Sequence, residues 1–144
     1  MNGSFDLASA RTAAAGGQIG QWVQDYLRTG PWANLGLADG LLLCPRWWVG
    51  PFEAPLAGLA RKCGPEADLE YVEPLARWNQ RTDAMAATIQ SVEQLPPLIA
   101  EWRPTGWVLA DGSHRHEALL RRGFVSCWAV GWFNSEKDFH RHRS

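Results

Sequence analysis

The residues from Trp107 to Gly123, WVLADGSHRHEALLRRG, constrain the fold more than any other stretch. Trp107 to Ala110 has the length and apolarity of a short strand, and Asp111 with Gly112 makes a turn. Ser113 then stands where a helix N-cap would stand, and Gly123 closes that helix as its C′ residue. The first amides of such a helix have no intrahelical partner and point past the strand end, so the corner attracts anions. His114 and Arg115 bring donors and positive charge there, and Gly112 admits another group close to the backbone. Asp111 adds a carboxylate able to hold a hydrated divalent cation. The functional reading is a phosphate site; the structural reading is a capped helix after a hairpin, with His114 and Arg115 solvated. Spacing alone leaves both open, because short loop motifs recur by chance.

The flanking residues give that corner a sheet to sit on. Leu75, Trp78, Thr82, Met85, Ile89 and Val92 step by three and four, which predicts a long helix beginning near Pro74. Arg77 and Arg81 lie on its flank, within reach of Glu73 or Asp83. Pro96 and Pro97 bar continuation, so Leu98, Ile99 and Ala100 become a strand. Arg103 to Gly106 suits a tight turn, and the strand ending at Trp102 is expected to pair antiparallel with Trp107 to Ala110. After Gly123, Phe124 to Phe133 is apolar on both faces and belongs inside a sheet covered twice.

The front half carries no chemical motif. Met1 to Gly17 is small and Ala-rich and is expected to be a mobile or loosely docked arm, with residues 18–144 forming one domain whose core is 72–134. Ile19, Trp22, Val23, Tyr26 and Leu27 make one helical stripe, stopped by Gly30 and Pro31. Leu41 to Leu43 and Trp47 to Val49 read as two short strands or an irregular ribbon. Pro55 reads as the first residue of a helix that puts Leu56, Leu59, Ala60 and Cys63 on one face and ends at Gly64. The acidic stretch after it reads as a solvated face, or as the source of a carboxylate that folds back towards Asp111. The rigid Gly64-Pro65 corner singles out Glu66 for that role.

Composition excludes several classes. A chain of 144 residues with 46% hydrophobic and 20% charged residues fits one globular domain. A formal net charge of -1 supplies no field for nucleic acid and argues against specific DNA binding. The 9 tryptophans are expected in the core or at a partner or homodimer surface of the front half. Cys44, Cys63 and Cys127 form no C-x-x-C, so reduced thiols and a cytoplasmic location are expected, without a membrane span or cleaved signal. A four-histidine metal site from His114, His116, His140 and His142 is discounted, since neighbours two apart on a helix diverge. The polar end from Asn134 to Ser144 reads as a solvated tail. G-x-S-x-G, the Walker loop and G-x-G-x-x-G are all missing.

Asp111-Gly112-Ser113-His114-Arg115, followed by Glu117 and Ala118, resembles the DGNHR-type signature of the ParB/sulfiredoxin superfamily, with Ser for Asn. The helix, strand, turn and strand upstream fit as well, and the resemblance covers Leu75 to Phe133. It implies an α+β fold, a small mixed sheet flanked by helices, and a nucleotide (ATP, ADP or CTP) held by its phosphates. In sulfiredoxins the residue matching Ser113 is the attacking cysteine, so sulfinic acid repair is not expected here. The chromosome-partitioning members carry Gly-Glu-Arg-Arg and a following helix-turn-helix, which this chain does not match. What the resemblance leaves is a small Mg-dependent phosphotransferase or nucleoside triphosphatase acting on an unidentified small-molecule or protein acceptor. In it the amides near Gly112, Ser113 and His114 cradle phosphates, Arg115 neutralises them, Asp111 holds magnesium and Glu66 serves as base. The alternatives are a non-catalytic phosphate- or partner-binding module and a metal-dependent nuclease.

Overall fold

Ser126–Phe133, apolar on both faces, lies inside the sheet with a strand on either side of it. The computed structural model describes residues 4–143. In chain order these form α1 (Leu7–Ala15), α2 (Ile19–Thr29), α3 (Leu35–Leu41), β1 (Trp47–Pro55), β2 (Leu59–Ala60), β3 (Cys63–Gly64), β4 (Tyr71–Val72) and α4 (Leu75–Ala86). Then come β5 (Leu98–Arg103), β6 (Gly106–Asp111), α5 (Ser113–Arg121), β7 (Ser126–Phe133) and α6 (Glu136–Arg143). The fold is α+β. A mixed sheet runs β1-β7-β5-β6-β2, and β3 pairs with β4 separately. The expected hairpin is present, with Trp102 opposite Trp107 and Arg103 opposite Gly106.

Each face of β7 feeds a different core. Val130 and Trp132, with Ile99 of β5, pack on Trp22, Val23, Tyr26 and Leu27 of α2. Cys127 and Ala129, with Leu98, Ala100 and Leu109, pack on Leu56, Leu59, Ala118 and Leu119. The whole α2 stripe is buried, and each large apolar side chain so placed contributes on the order of 2 kcal/mol. α5 ends as its sequence dictates. Gly123 has φ 84°, its amide bonds the Leu120 carbonyl, and the Phe124 amide bonds Leu119, a Schellman closure.

Five expectations are corrected. Residues 1–3 of the expected arm lie outside the described residues, but the rest is docked: Asp6 and Ser9 cap α1 reciprocally, and Leu7 and Ala10 are buried. Small side chains let α1 lie close to α2, where the Trp22 indole donates to Ser9 Oγ at 3.0 Å. Leu41 to Leu43 is no strand; Asn34 caps α3, which ends at Leu41 and leaves Leu42 and Leu43 exposed. Pro55 to Cys63 is no helix beyond one 3-10 turn at Leu56–Gly58. That turn buries Leu56, and the open edge of β6 captures the buried Leu59 with Ala60 in parallel pairing. α4 stops at Ala86, and Ile89 reaches the core from the turn that follows. Finally, the polar tail is α6, started by Ser135 Oγ, which accepts from the Asp138 amide, and seated through Phe139 and His142.

Candidate anion site at the start of α5

β6 delivers Asp111 to the sheet edge, and Gly112 turns the chain with φ 109° and ψ 20°. A Cβ at Gly112 would lie 2.9 Å from Leu98 and 3.0 Å from the Arg115 guanidinium, so both conformation and space require glycine. Gly112, rather than Ser113, is therefore the N-cap, and no side chain caps α5. The first helical bond runs from the His116 amide to the Gly112 carbonyl. The amides of Ser113, His114 and Arg115 precede it and carry the positive end of the helix.

Two clefts flank this turn, of about 600 Å³ and 260 Å³. Both are lined by Asn34 and by Asp111 to His114. Lys62 and Tyr71 border the larger one; Trp32, Arg81 and Arg115 border the smaller. Asp111, Gly112, Ser113, His114 and Arg115 thus come together as expected, but with different duties.

Arg115 serves the fold. It is 2% exposed and donates to the Pro96 carbonyl at 2.5 Å, to that of Pro97 at 3.3 Å and to Asp111 Oδ2 at 2.7 Å. Its guanidinium lies 5.6 Å from the Tyr26 ring and 5.2 Å from that of Trp32. A buried cation requires such pairing, and it consumes the charge that the sequence reading assigned to a ligand. Burial, with Asp111 adding to it and Arg115 opposing, pushes the Tyr26 hydroxyl up to about 12.

His114 faces a carboxylate that the sequence did not single out. Its Nε2 lies 3.1 Å from Glu73 Oε2, and its ring lies 4.6 Å from that of Trp78. The same Oε2 accepts from the Cys63 thiol at 3.7 Å and pairs with Arg81 at 3.6 Å. Burial, reinforced by Arg81, pulls the His114 pKa below 6.5 although Glu73 opposes this. Burial and Glu73 push the Cys63 thiol up, so it is no ready nucleophile. Glu66 lines neither cleft. Arg61 donates to it at 2.6 Å and lowers its pKa, which weakens it as a base. Glu73, not Glu66, is the carboxylate that reaches His114. It stands between β4 and α4, and no local pattern marks it. His116 turns away from His114, with Nε2 2.7 Å from the Leu56 carbonyl, and burial lowers its pKa too.

The donor set does not fit a resident magnesium, because Asp111 Oδ2 is already held by a guanidinium that would repel the ion. Among the described residues no cluster of three or more His, Cys, Asp or Glu side chains could hold a metal, and no helix is long and apolar enough to cross a membrane. No protein family and no curated protein matches the chain.

Proposed function

We propose that the chain binds a nucleotide by its phosphates at the start of α5 and acts on it as a phosphotransferase or nucleoside triphosphatase of the ParB/sulfiredoxin type. The observation that carries this reading is the uncapped N-terminus of α5, opening between two clefts with Arg81 at its side. The amides of Ser113, His114 and Arg115 take phosphate oxygens, and Arg81, whose side chain is 52% exposed, supplies the mobile charge. Asp111 and Arg115 hold the turn in shape. Neutral His114, donating Nε2–H to Glu73, keeps Nδ1 as an acceptor for the proton of an attacking hydroxyl or water. Magnesium enters as part of the nucleotide complex, and no step is assigned to a bound ion.

A second reading, a binding module without turnover, is favoured by the mutual satisfaction of Asp111 and Arg115. Thermal shift with ATP, ADP and CTP, each with magnesium, tests binding; phosphate release and transfer test turnover. A rise in Tm lost in Arg81→Ala, with turnover lost in His114→Ala while binding persists, is the expected outcome. A rise without turnover for any acceptor leaves the module reading standing. No rise with any nucleotide discards both.

A further inference from the structure

Far from the DGSHR turn, the other end of the β5-β6 hairpin carries a second concentration of chemistry. Trp102, Trp107 and Phe133 form three mutually tilted walls, with ring centroids 5.2 Å, 5.9 Å and 5.3 Å apart pair by pair. Trp107 reaches this position because Gly131 of β7 has no side chain; a Cβ there would stand 2.5 Å from the indole. Into the cup that the walls make, α6 places the ring of His142, at 5.2 Å from Trp102, 5.7 Å from Trp107 and 5.2 Å from Phe133.

The identity of that occupant is informative. An aliphatic side chain would bury more apolar area on three aromatic rings, yet the chain sets an exposed imidazole there. Aromatic faces are electron-rich, and groups with positive edges or full positive charge are what they select over plain hydrocarbon. The setting continues beyond the cup on both sides. A cavity of about 690 Å³ opens between His142, Trp107 and Phe52, with Glu53 on its wall, and one of about 430 Å³ lies between His142 and Trp102, with Asp138 and Arg141. The second offers the Asp138 carboxylate, beside Arg141, whereas Glu53 turns its carboxylate to Ser126 Oγ at 3.1 Å. Beyond His142, Phe139 on Phe133 at 5.9 Å is a second ring contact between α6 and β7, one that does not depend on the imidazole.

We propose that Trp102, Trp107 and Phe133 form a receptor for an organic cation, an alkylated ammonium head group, whose place His142 takes when no ligand is bound. The site is independent of the phosphate site and would survive its failure. The cation sits against the three rings, and its substituent runs along the cavity beside Phe52.

Choline is the probe, followed by tryptophan fluorescence on the full chain. Removing the competing ring in His142→Ala is expected to tighten binding at least tenfold, and Trp107→Leu is expected to abolish it. The neutral isostere, with carbon in place of the quaternary nitrogen, should bind at least tenfold more weakly than choline. Equal binding of the isostere, or no gain in His142→Ala, overturns the proposal. Should that variant fail to fold, the wild-type chain decides: the ring-current-shifted imidazole protons of His142 move towards their free positions as choline is added. Protons that stay still up to about 0.1 M choline, a concentration that would reveal even feeble association, overturn it equally.

Discussion

His114 and His116 are neighbours in sequence with opposite fates, since one faces the clefts and Glu73 and the other is spent on the Leu56 carbonyl. Both have pKa values lowered below 6.5, in each case chiefly by burial. The consequence for stability has a definite sign. Well above 6.5 both rings are neutral in the folded and unfolded chain and contribute no pH dependence. Below it the unfolded chain takes up protons that the native chain refuses, so unfolding is favoured and stability falls as pH drops from 6.5 towards the folded values. Urea midpoints measured at about pH 7.5 and about pH 5.5 should therefore decrease, and the decrease should shrink in a His114→Gln, His116→Gln double variant. An unchanged midpoint in the wild type would contradict the burial argument.

At the scale of elements, α5 is fixed by a glycine at each end, and the two are not equivalent. Gly123 has φ 84° with nothing within 4 Å of an added Cβ, so Gly123→Ala meets only the left-handed backbone cost of about 1–2 kcal/mol. Gly112 bears that cost and the collision with Leu98 as well. Chemical denaturation should show Gly112→Ala as the more destabilising of the two, with loss of nucleotide-dependent thermal shift confined to it. This corner was legible because its signals are local: a strand length, a turn glycine, a helix stop. β5, β6, β7 and the start of α4 were legible for the same reason. What the sequence hid depends on distant partners. The helical spacing of Leu56, Leu59 and Cys63 lost to the open edge of β6, and Arg115 looked like a ligand-binding cation until Pro96, Pro97 and Asp111 enclosed it. Glu73 had no motif, since β4 and α4 bring it to His114 only in three dimensions.

For the whole molecule, the front half is part of the domain that holds the site. Tyr26, Trp32 and Asn34 come from residues without any readable motif, yet they enclose Arg115 or line the clefts. The core shared by α2, Ile99, Val130 and Trp132 joins the two halves of the chain through long-range contacts. A chain so joined should unfold in one step, with tryptophan fluorescence and far-UV circular dichroism giving the same urea midpoint. Arg115 is the polar tie in this union: it grips Asp111 and the Pro96 and Pro97 carbonyls while lying against Tyr26 and Trp32. Arg115→Ala removes the donor from the part-buried Asp111 carboxylate and from the Pro96 and Pro97 carbonyls, a loss of about 1–3 kcal/mol. The midpoint should fall for both probes together, because the tie belongs to both halves. A variant that lost nucleotide binding with its midpoint unmoved would show instead that Arg115 serves the ligand and that its pairing with Asp111 contributes little.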